Sequence, residues 1–146
     1  MATLSIHTVF SATVGGEKVR VVRNTTRTIG AQKHDQIVTV ADNNGTAILW
    51  SAATSPIDTF TTAIIIVDPD DTYANDATVP VVTVEFQGSG TGISSFAVRR
   101  ETPFVLSADD IGDSIDTLDE VIDTITAKNE NADDAGDVAV RIILFT

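Results

Sequence analysis

The residues best suited to metal chemistry in this 146-residue chain are four aspartates near its middle: Asp68, Asp70, Asp71 and Asp76. Calcium prefers six or more oxygen ligands from carboxylates and carbonyls, which closely spaced aspartates can supply. The spacing departs from that of an EF-hand loop, because Thr72 stands at the third ligand position. We therefore expect either a calcium site or a solvated acidic turn here, and no other cofactor.

The residues needed for nucleophilic or zinc-dependent catalysis are scarce. The chain contains no cysteine and two histidines, His7 and His34. It has neither a Gly-x-Ser-x-Gly nucleophile elbow nor a His-Glu-x-x-His zinc motif. Two aromatic residues, Trp50 and Tyr73, are the candidates for a sugar-binding platform beside the aspartates. The sequence thus predicts that the protein is not an enzyme, with a calcium-dependent carbohydrate- or ligand-binding β-sandwich module as the alternative function.

Charge is sorted along the chain, and this sorting is its most informative feature. Eleven of the 21 acidic residues lie between Asp109 and Asp137, whereas five of the nine cations lie within the first 33 residues. The formal net charge of −12 opposes binding to nucleic acid, which is driven by cations that displace counterions. Opposite charge at the two ends favours docking against copies of the chain or against an acidic partner. The predicted interface residues are Lys18, Arg20, Arg23, Arg27, Ile64 and Ile66.

The N-terminal half reads as short strands separated by turns. Residues 4–10 alternate in polarity, and Gly15-Gly16 predicts a tight turn into a second strand at Lys18–Asn24. Asn44-Gly45 predicts a second hairpin between Gln36–Ala41 and Thr46–Ser51. In that hairpin the expected cross-strand pairs are Val40 with Leu49 and Thr39 with Trp50.

Three further strands are indicated by their apolar residues. Ile64–Val67 is apolar on both faces, which predicts burial on both sides, either inside the domain or at a subunit contact. Val79–Gln87 and Val138–Phe145 each alternate in polarity, as half-buried strands do. Shorter strands are expected at Ser94–Arg100 and Phe104–Leu106.

One segment changes its period to that of a helix. Apolar residues recur at spacings of four and three, which predicts an amphipathic helix over about residues 109–128. Such a helix fits packing on a sheet of its own domain, and alternatively a short trimeric coiled coil. The residues that define the spacing are Ile111, Ile115, Leu118, Ile122 and Ile125.

These elements predict a mainly β fold in a single domain over residues 1–146. Strands without β-α alternation favour an antiparallel β-sandwich, either jelly-roll-like or Greek-key, with the one helix near the C-terminus. The longest aliphatic run, Ala63–Val67, is too short to cross a bilayer, so no membrane association is expected. The N-terminus lacks the pattern of a secretion signal, and the absence of cysteine agrees with synthesis in a reducing cytoplasm.

The overall character of the chain resembles that of the capsid decoration (cement) proteins of tailed bacteriophages. The resemblance lies in an acidic, cysteine-free, Thr/Val-rich β-domain that begins with a strand after Met1 and ends on Val138–Phe145. It implies a structural protein of the virion, made in the host cytoplasm, that binds and stabilises the outer surface of the capsid. The implied partners are the major capsid protein and further copies of the chain, as a homotrimer.

Overall fold

The computed structural model of this protein describes residues 2–30, 33–42, 44–70, 81–88, 93–100, 102–107, 122–130 and 136–146. Ten strands run through these stretches, and all their pairings are antiparallel. The prediction of a mainly β fold is therefore confirmed. The strands are β1 (Ala2–Val14), β2 (Glu17–Ile29), β3 (Lys33–Val40), β4 (Thr46–Ser51), β5 (Thr62–Val67), β6 (Val81–Gly88), β7 (Ile93–Arg99), β8 (Phe104–Ser107), β9 (Ile122–Asn129) and β10 (Val138–Phe145).

Contacts along the chain divide it into two compact units, Met1–Ala31 and Gln32–Thr146. The first unit consists of β1 and β2, which pair over 13 residues each and are called here the N-terminal hairpin. Gly15 and Gly16 connect them with φ angles of 61° and 88°, which is the geometry of a type I′ turn. Glycine adopts positive φ without strain, so the turn predicted at this pair is confirmed.

The second unit, called here the C-terminal unit, contains two four-stranded sheets in the orders β3-β10-β5-β8 and β4-β9-β6-β7. Both sheets contribute buried side chains to one hydrophobic core. These side chains come from every second residue of a strand. In β6 and β10 this is the alternation that the sequence predicted. From β10 they are Val138, Val140, Ile142 and Leu144, and from β6 they are Val82, Val84 and Phe86.

An irregularity in β4 buries two consecutive residues. The pairing of β4 with β9 shifts between Ile48 and Trp50, so Leu49 is the extra residue of a bulge. Leu49 and Trp50 are consequently 1% and 2% exposed, although neighbouring residues of a regular strand point to opposite faces. The indole Nε1 of Trp50 donates to the carbonyl of Ile57 at 3.3 Å, which gives this buried polar group its partner.

The hairpin predicted between β3 and β4 is wrong, although its turn is present. The amide of Gly45 donates to the carbonyl of Asp42 at 3.1 Å, and Asn44 has a φ of 63°. Beyond this turn the strands separate into different sheets: β3 pairs with β10, and β4 pairs with β9. The predicted pairs of Val40 with Leu49 and of Thr39 with Trp50 therefore do not form.

The predicted helix over about residues 109–128 is wrong over its last seven residues, which lie in β9. Residues 109–121 lie outside the described part of the chain, so a helix there stays a prediction. A register shift at Gln87/Gly88 leaves Asp123 as an extra residue in β9. The irregularity allows Ile122 and Ile125, three positions apart, both to pack on the core. A bulged strand thus reproduced part of the helical spacing.

Candidate interaction surfaces

The register of the N-terminal hairpin gives it one largely apolar face and one polar face. On the apolar hairpin face, Val19 lies opposite Ala12, and Val21 lies on the same side two residues along. Val19 and Val21 are 50% and 54% exposed, whereas Leu4 and Ile6 at the other end of this face are half-buried. The polar hairpin face carries mainly threonine, serine and charged residues, with Val9 opposite Val22 near its middle. Exposed valines at one end of the apolar hairpin face make it a candidate contact surface.

The predicted basic residues lie on this hairpin but do not form one row. Lys18 and Arg20 are exposed on the polar hairpin face, opposite Thr13 and Ser11. Arg23 is exposed on the apolar hairpin face, two residues beyond Val21. The backbone of Arg27 pairs with that of Leu4, and the side chain of Arg27 is not among those that the structure describes.

The two units carry opposite formal charge. Residues 1–31 contain four cations and one acid, so their formal charge is +3. Residues 32–146 contain five cations and twenty acids, so their formal charge is −15. Complementary potentials of this kind speed the encounter of charged surfaces and align them before contact. The hairpin is thus suited to bind an acidic surface.

The predicted interface residues Ile64 and Ile66 lie on the outer side of the β3-β10-β5-β8 sheet, facing away from the core. Their neighbours along β5, Ala63, Ile65 and Val67, are at most 1% exposed, whereas Ile64 and Ile66 are half-buried. Burial of β5 is therefore complete on one face only. The outer side, called here the apolar sheet face, carries the aliphatic residues Ile37, Ile64, Ile66, Val105, Ala139 and Ile143.

Ile37 is the most exposed of the four aliphatic residues of the apolar sheet face that the sequence did not predict. It is 52% exposed on β3, opposite Arg141 of β10. The sequence contained a signal for this position. Val38 and Val40 mark the inward side of the strand, so the adjacent Ile37 falls on its outward side. With its aliphatic neighbours across the sheet, Ile37 extends the apolar sheet face to the edge strand β3, which makes this face a candidate contact surface.

The outer side of the other sheet, called here the polar sheet face, has a different composition. Its residues come from β4, β9, β6 and β7, and most carry hydroxyl, amide or charged groups. Its described aliphatic residues are Val81, Ala97 and Ile48, of which Ile48 is 62% exposed. The polar residues are Thr46, Ser51, Thr83, Glu85, Gln87, Ser95, Thr124, Thr126 and Lys128. The difference between the two outer sides singles out the apolar sheet face as the better contact surface.

Two ion pairs lie on the apolar sheet face, and both involve Asp35. Arg141 Nε and one terminal nitrogen, Nη2, each donate to a different oxygen of the Asp35 carboxylate, both at 2.9 Å. This bidentate pair holds the pKa of Asp35 below its ordinary value, with a smaller contribution from Lys33 at 3.4 Å. The same pair raises the pKa of Arg141. It pairs two opposite charges on a face that also carries Lys33 and Thr39 beside its aliphatic residues.

Replacing Arg141 with glutamine should raise the pKa of Asp35 toward its ordinary value. Because the folded-state pKa lies below the unfolded one, the pair stabilises the protein at neutral pH and loses this effect as the pH falls through the folded-state pKa. NMR titration of the Asp35 carboxyl carbon measures the change directly. Lys33→Gln is the matched control and should move the midpoint less, since Arg141 is the larger cause. An unchanged midpoint in Arg141→Gln would contradict this assignment.

The candidate calcium residues are only partly described. Asp68 is 4% exposed with a φ of 51°, and its amide donates to the carbonyl of Ala139 at 2.8 Å. Asp70 is exposed, and Asp71 and Asp76 lie outside the described residues. Within the described ranges no three His, Asp or Glu side chains converge as a metal site would require. Calcium binding by this loop stays a prediction.

The two histidines occupy different environments. His7 hydrogen-bonds to Asn24 across the N-terminal hairpin. His34 Nδ1 lies 3.2 Å from the hydroxyl of Ser55, and its Nε2 is buried without a hydrogen-bond partner in the described ranges. The Ser55 hydroxyl also accepts from the Ile57 amide at 3.4 Å. A serine–histidine contact is one component of a nucleophilic site. The absence of enzymatic activity stays a prediction.

The proposed aromatic platform cannot use Trp50, because this side chain is buried in the core with 2% exposure. Its ring packs edge-on against Phe60 with 5.2 Å between ring centroids. Tyr73, the other candidate, lies outside the described residues.

Comparisons with known proteins assign no family to the chain: no protein-family model, curated protein or solved structure matches it. Among the described residues, no helix has the length and apolar character needed to cross a membrane.

Proposed function

We propose that this chain is a non-enzymatic structural protein of a virion, a decoration protein that binds and stabilises the outer surface of a tailed-phage capsid. The observation that carries the proposal is the exposed cationic hairpin in an otherwise strongly acidic protein. Such a hairpin suits docking on an acidic protein lattice, because opposite potentials favour encounter. The partners are the major capsid protein and two further copies of the chain in a homotrimer on the capsid exterior.

The finer assignment of the C-terminal unit as a jelly-roll β-sandwich is part of this proposal. It is supported by the pairing of β3 with β10, β4 with β9, β5 with β8, and β6 with β7. The first strand pairs with the last, the second with the second last, and so on, as in one long hairpin. When such a hairpin folds into two sheets, the strand orders are β3-β10-β5-β8 and β4-β9-β6-β7. Eight-stranded jelly rolls are used by viral capsid domains, and also by lectins and cupins.

The capsid proposal is tested on particles. Phage particles assembled without this chain should bind the purified protein and carry it through a density gradient, in a fixed ratio to the shell subunit. Antibodies against the chain should then bind the intact decorated particles, because the protein lies outside. Recovery of the chain only at the top of the gradient would contradict capsid binding. Particles grown with the chain that expose it only after the shell is opened would contradict the exterior location.

A further inference from the structure

The N-terminal hairpin and the C-terminal unit each carry an apolar face with exposed aliphatic residues. On the hairpin, Val19 and Val21 are 50% and 54% exposed, and on the apolar sheet face Ile37 is 52% exposed. A two-stranded hairpin is at best marginally stable in water when nothing covers it. Covering these residues would remove aliphatic surface from water and stabilise the hairpin.

We infer that the apolar hairpin face of one copy docks on the apolar sheet face of a second copy. Charge complementarity selects a second copy as the occupant, because residues 1–31 carry +3 and residues 32–146 carry −15. Hairpin-to-hairpin docking would instead bring like charges together. The inference deepens the self-association part of the proposed function and does not depend on the capsid.

The composition of the two outer sheet sides selects the docking face. The apolar sheet face presents aliphatic residues from all four of its strands, whereas the polar sheet face presents mainly hydroxyl and charged groups. Asp35, the carboxylate on this face, bonds two cations of the same face, Arg141 at 2.9 Å and Lys33 at 3.4 Å. Covering this face consequently removes aliphatic surface from water without leaving the Asp35 carboxylate unpaired.

The dimensions of the hairpin also fit. At about 3.4 Å per residue, its 13-residue strands are about 44 Å long. The longest strands of the docking sheet have eight residues, or about 27 Å. One hairpin is therefore long enough to lie across the whole apolar sheet face of another copy.

The test uses two full-length variants that disable opposite halves of the contact. Val19→Asp/Val21→Asp places charge on the apolar hairpin face, and Ile37→Asp places charge on the apolar sheet face. Each should raise the dissociation constant for self-association by about tenfold to a hundredfold, because a buried aliphatic group is replaced by a carboxylate. Light scattering on the wild-type chain should give a multiple of the single-chain mass, and each variant alone should move toward that single mass.

Mixing the two variants distinguishes this contact from other modes of association. The first variant retains an intact sheet face and the second an intact hairpin, so together they should form a one-to-one dimer through a single contact. Matched controls are Val9→Asp on the polar hairpin face and Ile48→Asp on the polar sheet face, at residues 43% and 62% exposed. Both controls should keep the wild-type mass.

Three outcomes would overturn the inference. The first is a wild-type chain that stays monomeric at every concentration tested. The second is Ile37→Asp associating as tightly as wild type, which would place the contact between hairpins or elsewhere. The third is a mixture that contains only monomers. Because these measurements use the purified protein alone, their failure is distinguishable from failure to bind capsids.

Discussion

Replacing Ile65 with alanine is expected to lower the free energy of unfolding by about 2–5 kcal/mol, the usual range for truncating a fully buried aliphatic side chain. Ile65 is 0% exposed on β5 and lies between Ile142 of β10 and Phe104 of β8. The cost combines the lost transfer of the deleted methyl groups from water with the cavity that the packed core leaves. Chemical denaturation followed by tryptophan fluorescence measures it, since Trp50 lies in the same core.

The matched control is Ile64→Ala, the same substitution one residue earlier on the same strand. Ile64 faces away from the core and is half-buried, so its truncation should cost clearly less in dilute protein. If a second copy covers the apolar sheet face, the cost at Ile64 should increase with protein concentration, because association stabilises the folded state by mass action. The cost at Ile65 should change little with concentration. Equal costs in dilute protein would show that we have assigned the faces of β5 incorrectly.

The sequence predicted single strands well where one face of a strand is buried. In β6 and β10 the apolar residues alternate strictly, and the structure buries Val82, Val84 and the inward residues of β10 as the alternation requires. Alternation reports only which side of a strand faces the core, so it carries no information about the partner strand. The β4 bulge at Leu49 was not predictable for the same reason, because it is defined by its pairing with β9.

The turn at Asn44-Gly45 shows where local signals end. Asn44 adopts the positive φ that its residue type tolerates, and Gly45 closes the turn onto the carbonyl of Asp42. Gly45 is required there, because a Cβ on it would lie 2.5 Å from the Ala41 carbonyl oxygen. A turn reverses the chain but does not determine whether the following strand pairs with the preceding one. Here the pairing depends on β9 and β10, whose paired residues lie 73 to 112 positions further along the sequence.

The candidate surfaces were predicted only in part. The cations of the N-terminal hairpin were visible as a cluster, but the register places Arg20 and Arg23 on opposite faces. The apolar sheet face combines residues from four strands that are distant in sequence, including Ile37 and Ile143. Its composition becomes apparent only when the order of the strands is known. A single sequence does not provide that order.

Reversing two charges on the N-terminal hairpin is expected to slow the association of the protein with its partners. Arg20→Glu/Arg23→Glu changes the formal charge of residues 1–31 from +3 to −1. The rates of self-association and of capsid binding should fall by about tenfold to a thousandfold at low ionic strength, because attraction to an acidic surface becomes repulsion. Stopped-flow or surface-based kinetics measures these rates. Both arginines are exposed, so the melting temperature of dilute protein should stay close to that of wild type.

The control separates the position of the charge from its amount. Arg20→Glu and Arg99→Glu change the net charge equally, but Arg99 lies on β7 in the C-terminal unit. Arg20→Glu should slow association more, because it acts on the cationic surface itself. The difference should shrink near 1 M salt, where the Debye length is about 3 Å. Equal rates for the two variants at low salt would contradict a role for the hairpin charge.

The two arginines should also differ from each other in how they affect the bound state. Arg20 lies on the polar hairpin face, outside the inferred contact, so Arg20→Glu should slow association and leave dissociation nearly unchanged. Arg23 lies on the apolar hairpin face beside Val21, so Arg23→Glu should additionally accelerate dissociation, because it places an unpaired carboxylate in a desolvated contact. Salt should restore the association rate of both variants but not the dissociation rate of Arg23→Glu. If Arg20→Glu were the variant that dissociates faster, the polar hairpin face would be the contact surface.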